Sequence, residues 1–270
     1  GKSTEMLELL LKHGGSFTDA DIDGETIMIA ACIKGNVEIV KWLVEHGGPL
    51  TDKDENQTGL LSIATQKENP ELVRYLLSVG CSAKERDSRN NTPLILAIVQ
   101  GNLELAKLYL EQGYSSMDEV DNYGFTPLLT AFGTRGNIEL ITYLVEKGGS
   151  LYERTYEQND PLLLAAESGR LELIQWLLDQ GLDINVTDTR GYNVLAVAAE
   201  YNHHNVVEWL VTEKRMDIEF RCSKGFTPLL NSACLGQIEM VETLQRLGAN
   251  LWATMREEYN AMHLATVGGH

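Results

Sequence analysis

Residues 160–181 read Asp160-Pro-Leu-Leu-Leu-Ala-Ala-Glu-Ser-Gly169-Arg-Leu-Glu172-Leu-Ile-Gln-Trp-Leu-Leu-Asp-Gln-Gly181. Two short helices are written into this stretch. Asp160 can offer a side-chain oxygen to the orphan amides of a first turn. Pro161 follows where its missing donor costs nothing. The small pair Ala165-Ala166 lets a neighbouring element approach closely, and Gly169 permits a helix stop. Glu172 then complements the positive end of a second helix. Leu173, Ile174, Leu177 and Leu178 fall at helical spacing, and Gly181 closes the helix nine residues after Glu172.

The same sentence recurs along the chain. Its opening tetrapeptide begins at Thr26, Thr58, Thr92, Thr126, Asp160, Asn193, Thr227 and Asn260, in steps of 32, 34, 34, 34, 33, 34 and 33. The first residue is always Thr, Asp or Asn, all helix-capping types. Glycines 35, 101, 136, 169 and 236 are expected to end the first helix in a left-handed turn, with Asn202 standing in once. An extra residue is expected in the inner turn near Glu68 and another within Gly133–Gly136. The second helix opens with Glu at 38, 71, 104, 139, 172 and 239 and stops at Gly47, Gly80, Gly113, Gly148, Gly181 and Gly248. Lys214-Arg215-Met216 replaces that stop in one unit, which makes the following turn the irregular one.

A supersecondary unit repeated every 33 residues or so is a stack in which each unit buries its apolar face on its neighbours. The Thr-Pro-Leu opening, paired alanines, glycine-ended turn with Glu following, and terminal Gly resemble the ankyrin repeat family. The opening's usual fourth residue, His, survives only at His263. The resemblance covers essentially the whole chain. It implies an all-α ankyrin-repeat solenoid of helix-turn-helix units with short β-hairpin fingers, about seven full repeats plus two halves. The expected units lie near 1–22, 23–55, 56–88, 89–122, 123–157, 158–189, 190–223, 224–257 and 258–270, in one array. Both ends fall inside a unit and neither resembles a polar cap, so a segment of a longer array is expected.

Composition narrows the function. The chain has 270 residues with 22 basic and 39 acidic side chains, for a net charge of −17. Such a field repels phosphate backbones, which argues against nucleic acid and favours a basic or amphiphilic partner. The four cysteines, Cys32, Cys81, Cys222 and Cys234, are dispersed without a CxxC pair, as expected of reduced thiols in a cytoplasmic protein. No apolar run approaches the roughly 20 residues that span a bilayer.

Catalytic motifs find little support. Gly1-Lys2-Ser3-Thr4 matches the tail of a phosphate-binding loop but lacks its upstream glycine and strand. The recurrent glutamates stand one per unit and cannot form a carboxylate dyad. His203 and His204 are adjacent, so their rings should diverge, and no cysteine lies at zinc-ligand spacing. No Ser or Cys sits in a nucleophile elbow. The expectation is therefore no enzyme, no cofactor, no metal and no small-molecule substrate.

Recognition is the function the resemblance implies, along fingers and the turns that end the first helices. Residues just before each opening tetrapeptide are Glu25, Gln57, Asn91, Phe125, Asn159, Tyr192, Phe226 and Tyr259, polar early and aromatic late. Tyr123, Tyr156 and Tyr201 join them. Rings of this kind dominate interface hot spots, although rings at this place also pack on neighbouring fingers. The expected partner-binding set is Tyr123, Phe125, Tyr156, Tyr192, Tyr201, Phe226 and Tyr259. By contrast Trp42, Tyr75, Tyr143, Trp176 and Trp209 share one place in the second helix and are expected to stack between repeats. Asp183-Ile184-Asn185-Val186 resembles an ankyrin asparagine that is hydroxylated. Asn185 is thus a modification candidate, set against a structural role in its turn. A spacer or anchor within a larger protein, or a secreted microbial effector, is the alternative to partner recognition.

Overall fold

The computed structural model describes residues 2–255 and 259–270; the Gly1-Lys2-Ser3-Thr4 run begins outside them. The described residues form α1 (Lys2–Lys12), α2 (Ile27–Ile33), α3 (Val37–Glu45), α4 (Leu60–Gln66), α5 (Pro70–Ser78), α6 (Pro93–Val99), α7 (Leu103–Glu111) and α8 (Pro127–Gly133). They continue with α9 (Ile138–Glu146), α10 (Pro161–Glu167), α11 (Leu171–Asp179), α12 (Val194–Glu200), α13 (His204–Thr212), α14 (Pro228–Cys234), α15 (Ile238–Arg246) and α16 (Ala261–Gly268). The chain divides into two compact units, Gly1–Gly148 and Gly149–His270. In the first, inner helices α2, α4, α6 and α8 stack in sequence, each backed by an outer helix. In the second, α10, α12, α14 and α16 stack in sequence, with α11, α13 and α15 behind the first three.

Seven-residue helices are too short to persist alone in water, so packing and caps must hold them. Inner helices are nearly all core: α10 buries Pro161 through Ala166, and α12 buries Val194 through Ala199. Each fully buried Leu or Ile contributes roughly 1.5–3 kcal/mol over exposure. The cap side chains perform as their chemistry requires. Thr126 accepts from the Leu129 amide at 3.2 Å, and Asp160 accepts from Leu162 and Leu163 at 3.0 Å each. The six expected glutamates all lie in the first turn of an outer helix.

Three expectations are corrected. The second opening does not start at Thr58: the N-cap of α4 is Gly59, which makes no side-chain cap bond. The caps then stand at 26, 59, 92, 126, 160, 193, 227 and 260, and the early step of 32 disappears. With that register restored, no extra residue is needed near Glu68, which takes the left-handed place itself at φ 50°. The extra residue within Gly133–Gly136 is present, because α8 ends in an extended Thr134 (φ −128°, ψ −143°). Gly136 is not left-handed there. It is needed for closeness, since a Cβ would lie 2.5 Å from the Ala131 carbonyl oxygen.

Arg215, at φ 53°, supplies the turn that lacks glycine after α13. The finger beyond it is nonetheless regular, with Cys222 N–H donating to the Phe226 carbonyl at 3.0 Å as Asp188 donates to Tyr192. Fingers show isolated antiparallel bridges, such as Thr187 with Asn193, and no continuous strand among the described residues. They are too short for a ladder and close instead around a side chain.

Candidate interaction surface

Each finger is built on the residue five places before its cap. Asp121 Oδ1 accepts from the Tyr123 and Phe125 amides at 2.8 and 2.9 Å, and Asp188 Oδ1 accepts from Arg190 and Tyr192 at 2.9 and 2.8 Å. Thr155 Oγ1 does part of this work for Asn159 at 3.1 Å. Neighbouring fingers are tied by single backbone bonds. In the first unit Ser88 N–H donates to Asn56 and Asn122 to Arg89; in the second Thr189 donates to Glu157 and Ser223 to Arg190. Arg221 Nη1 adds a brace, donating to the Gly225 and Thr254 carbonyls at 3.0 and 2.7 Å. A row of fingers held this way orders whatever side chains it carries.

In the first unit Tyr123 is exposed at its fingertip and Phe125 is half-buried behind it. In the second, Tyr156 is 67% exposed on its finger. Tyr201 is 46% exposed at the C-terminal end of α12, and Tyr259 is exposed with its ring edge-on to His263 at 5.8 Å. Phe226 is half-buried.

Tyr192 departs from the expected set. It is 9% exposed, donates its hydroxyl to Asn231 Oδ1 on α14 at 3.2 Å, and lies under the Arg190 guanidinium at 4.3 Å. Arg190 in turn grips Glu200 with two bonds of 2.9 Å and Asp188 with one of 2.8 Å. Tyr192 is thus an inter-repeat packing residue, the alternative that its position always allowed.

Charge surrounds the exposed rings of the second unit. Burial, reinforced by the Glu167 carboxylate and a hydrogen bond to it, pushes the Tyr201 hydroxyl up to about 12. Glu167 and Glu200 hold equivalent places on successive inner helices, one residue before each C-cap. Leu235, the C-cap of α14, occupies the same place as Tyr201 and is exposed too. Sequence reasoning passed over Leu235 because it is not aromatic; its shared register with Tyr201 was the available signal. In the first unit that register holds Lys34, Lys67 and Gln100. Tyr152 and Trp252 are also exposed, in the segments that follow the outer helices α9 and α15.

The remaining candidates resolve into structural roles. Lys41 lies over Tyr75 at 5.5 Å, Lys107 over Tyr143 at 5.4 Å, and Lys214 over Trp209 at 5.0 Å, so the outer-helix rings pack under lysines. For Tyr75 and Tyr143 that lysine comes from the preceding repeat. The two adjacent histidines diverge: His203 Nε2 meets the Glu167 carbonyl at 2.7 Å, and His204 Nδ1 meets Thr243 Oγ1 at 2.9 Å. Among the described residues no three His, Cys, Asp or Glu side chains gather to hold a metal ion. Asn185 is exposed, and its amide group and backbone N–H both donate to Asp183 Oδ1, at 2.9 and 3.0 Å. No helix of the described residues is long and apolar enough to cross a membrane.

Stacked helix pairs with capped inner helices and a braced finger row define the class, and the family comparison agrees. The model for ankyrin repeats (3 copies) matches residues 1–87, 61–155 and 162–255. The chain belongs to the ankyrin repeat family. Members of this family are in general protein–protein interaction modules and non-catalytic scaffolds. No curated protein matches the chain in sequence.

Proposed function

We propose that this chain is a non-catalytic recognition module. It docks a protein or peptide on the face made by its fingers and inner-helix ends. In the second unit the contacts are Tyr156, Tyr201 and Tyr259, with Leu235 in register and Phe226 at the edge; in the first they are Tyr123 and Phe125. The observation that carries this reading is the exposure of Tyr201. A tyrosine left open at the end of an otherwise buried helix, on a braced scaffold, is rigid contact area that folding alone does not call for. The partner is basic on its docking side, since Glu157, Glu167 and Glu200 flank these rings and the chain carries −17 overall. Four free thiols, two of them buried, support a reducing, cytoplasmic setting.

The test compares the immobilised chain with a Tyr156→Ala/Tyr201→Ala variant whose circular dichroism is unchanged. The wild type should retain partners from a cell extract that the variant releases at moderate salt. Equal capture by both would refute the aromatic face.

A further inference from the structure

The loop after α7 is one residue longer than its neighbours. From the glycine that ends an outer helix to the aspartate that builds the next finger is seven residues for Gly47 to Asp54 and for Gly80 to Asp87, but eight for Gly113 to Asp121. The extra residue is absorbed at once. The Tyr114 and Ser115 amides both donate to the Tyr109 carbonyl, at 3.0 and 3.2 Å, where one repeat earlier the Cys81 amide donates to Leu76. Beside this bulge lies a cavity of about 310 Å³, lined by Lys84 and Arg86 from the loop after α5 and by Tyr114, Ser115, Ser116 and Glu119 from the loop after α7. Small-ligand sites begin at about that volume, roughly 300 Å³.

The charges in this cavity do not cancel. Glu119 is engaged by the chain itself: Oε1 accepts from the Ser116 amide at 3.1 Å, and Oε2 accepts from the Thr92 hydroxyl. Arg86 uses Nη1 for the Asn90 and Val120 carbonyls, at 2.8 and 2.9 Å. A guanidinium has five N–H donors in a planar fork, and the three outside Nη1 suit a carboxylate. Lys84 is exposed. Two cations against one carboxylate leave a surplus of one positive charge, in a chain that carries −17 overall. Ser115 Oγ is sealed from solvent and has no hydrogen-bond partner. Such an orphan is unusual in a folded chain and calls for an explanation.

We infer that this cavity is a carboxylate subsite, taking a Glu or Asp side chain of a bound peptide. One carboxylate balances the surplus charge, whereas a phosphate dianion would crowd Glu119. Its planar pair of oxygens matches the Arg86 fork, Lys84 adds a point charge, and Ser115 brings a hydroxyl with no other bond to keep. The source of the ligand rests on the recognition reading above, but the subsite uses none of the exposed rings.

NMR titration of the isotope-labelled 270-residue chain with a blocked Ala-Glu-Glu-Ala peptide at low salt tests this. The amides of Lys84, Ser115 and Ser116 should shift and saturate, and the same peptide with Gln for Glu should leave them in place. Lys84→Ala should weaken binding about threefold. Glu119→Gln keeps an acceptor for the Ser116 amide and removes the opposing charge, so it should tighten binding by about as much; loss of a merely structural contact would not tighten it. Deleting Ser115 brings the loop to the common length and should abolish the shifts; if that variant does not fold, the two point variants decide. Tyr156→Ala/Tyr201→Ala should leave the titration unchanged, so this subsite and the aromatic face fail separately. Amides that stay in place at millimolar peptide overturn the inference. So does tighter binding of inorganic phosphate or of free glutarate than of the peptide at the same amides.

Discussion

Removing one oxygen from Tyr109 probes how the first unit joins its repeats. Tyr109 is fully buried on α7, and its hydroxyl lies 2.5 Å from Thr65 Oγ1 on α4. Thr65 donates its own hydrogen to the Leu61 carbonyl at 2.8 Å, so Tyr109 is the donor between them. Burial raises the Tyr109 hydroxyl above its ordinary range, and the Thr65 bond offsets part of that rise. Tyr109→Phe therefore removes one neutral hydrogen bond and leaves Thr65 with its donor bond still made. The expected loss is about 1 kcal/mol, within roughly 0.5–1.5. Tyr109→Ala would cost roughly 3–5 kcal/mol through the cavity it leaves. Urea unfolding followed by circular dichroism measures both. A double-mutant cycle with Thr65→Val isolates the pair, and its coupling should again be about 1 kcal/mol. A coupling indistinguishable from zero, or Tyr109→Phe as stable as the wild type, would show that this bond does not join the two repeats.

Other outcomes follow from the same geometry. Tyr192→Ala should destabilise the second unit by roughly 3 kcal/mol, whereas Tyr201→Ala should cost no more than about 1 kcal/mol; thermal melts separate a buried packing ring from an exposed one. Asp160 is a buried cap whose pKa is raised by burial, against the Leu163 amide, the Arg154 charge and the Leu162 amide. A carboxyl raised on folding contributes most below its unfolded pKa, and that contribution is lost as pH rises through the folded value. Asp160→Asn keeps the cap and removes the buried charge, so it should raise the melting temperature at neutral pH, with the gain vanishing in acid. Burial first, with Cys81 and Asp52 adding to it, holds the Cys32 thiol up at about 12. Iodoacetamide should modify Cys32 only at the rate of unfolding, as peptide mass mapping would show.

Much of the fold was legible because its determinants are local. A capping oxygen, a proline at the first turn and a glutamate opening the outer helix each sit at a fixed place and repeat. The register failed at Gly59 because that cap has no side chain to announce it, and the adjacent Thr58 imitated one. The finger aspartates were equally local and were missed, although their spacing from each cap was constant. The site was less legible. Whether a ring before the cap faces solvent or the next repeat depends on what that repeat presents. Tyr192 found Asn231 and Arg190, while the Tyr259 ring stays exposed and edge-on to His263. Leu235 became a candidate contact only once its exposure placed it with Tyr201.

The claim that recognition uses fingers and inner turns, not outer helices, is tested most directly by photo-crosslinking. A benzophenone amino acid at Tyr201 should yield discrete partner adducts in a cell extract, and the same residue at Glu172, exposed on the outer helix α11, should not. Adducts from Glu172 with none from Tyr201 would contradict the account.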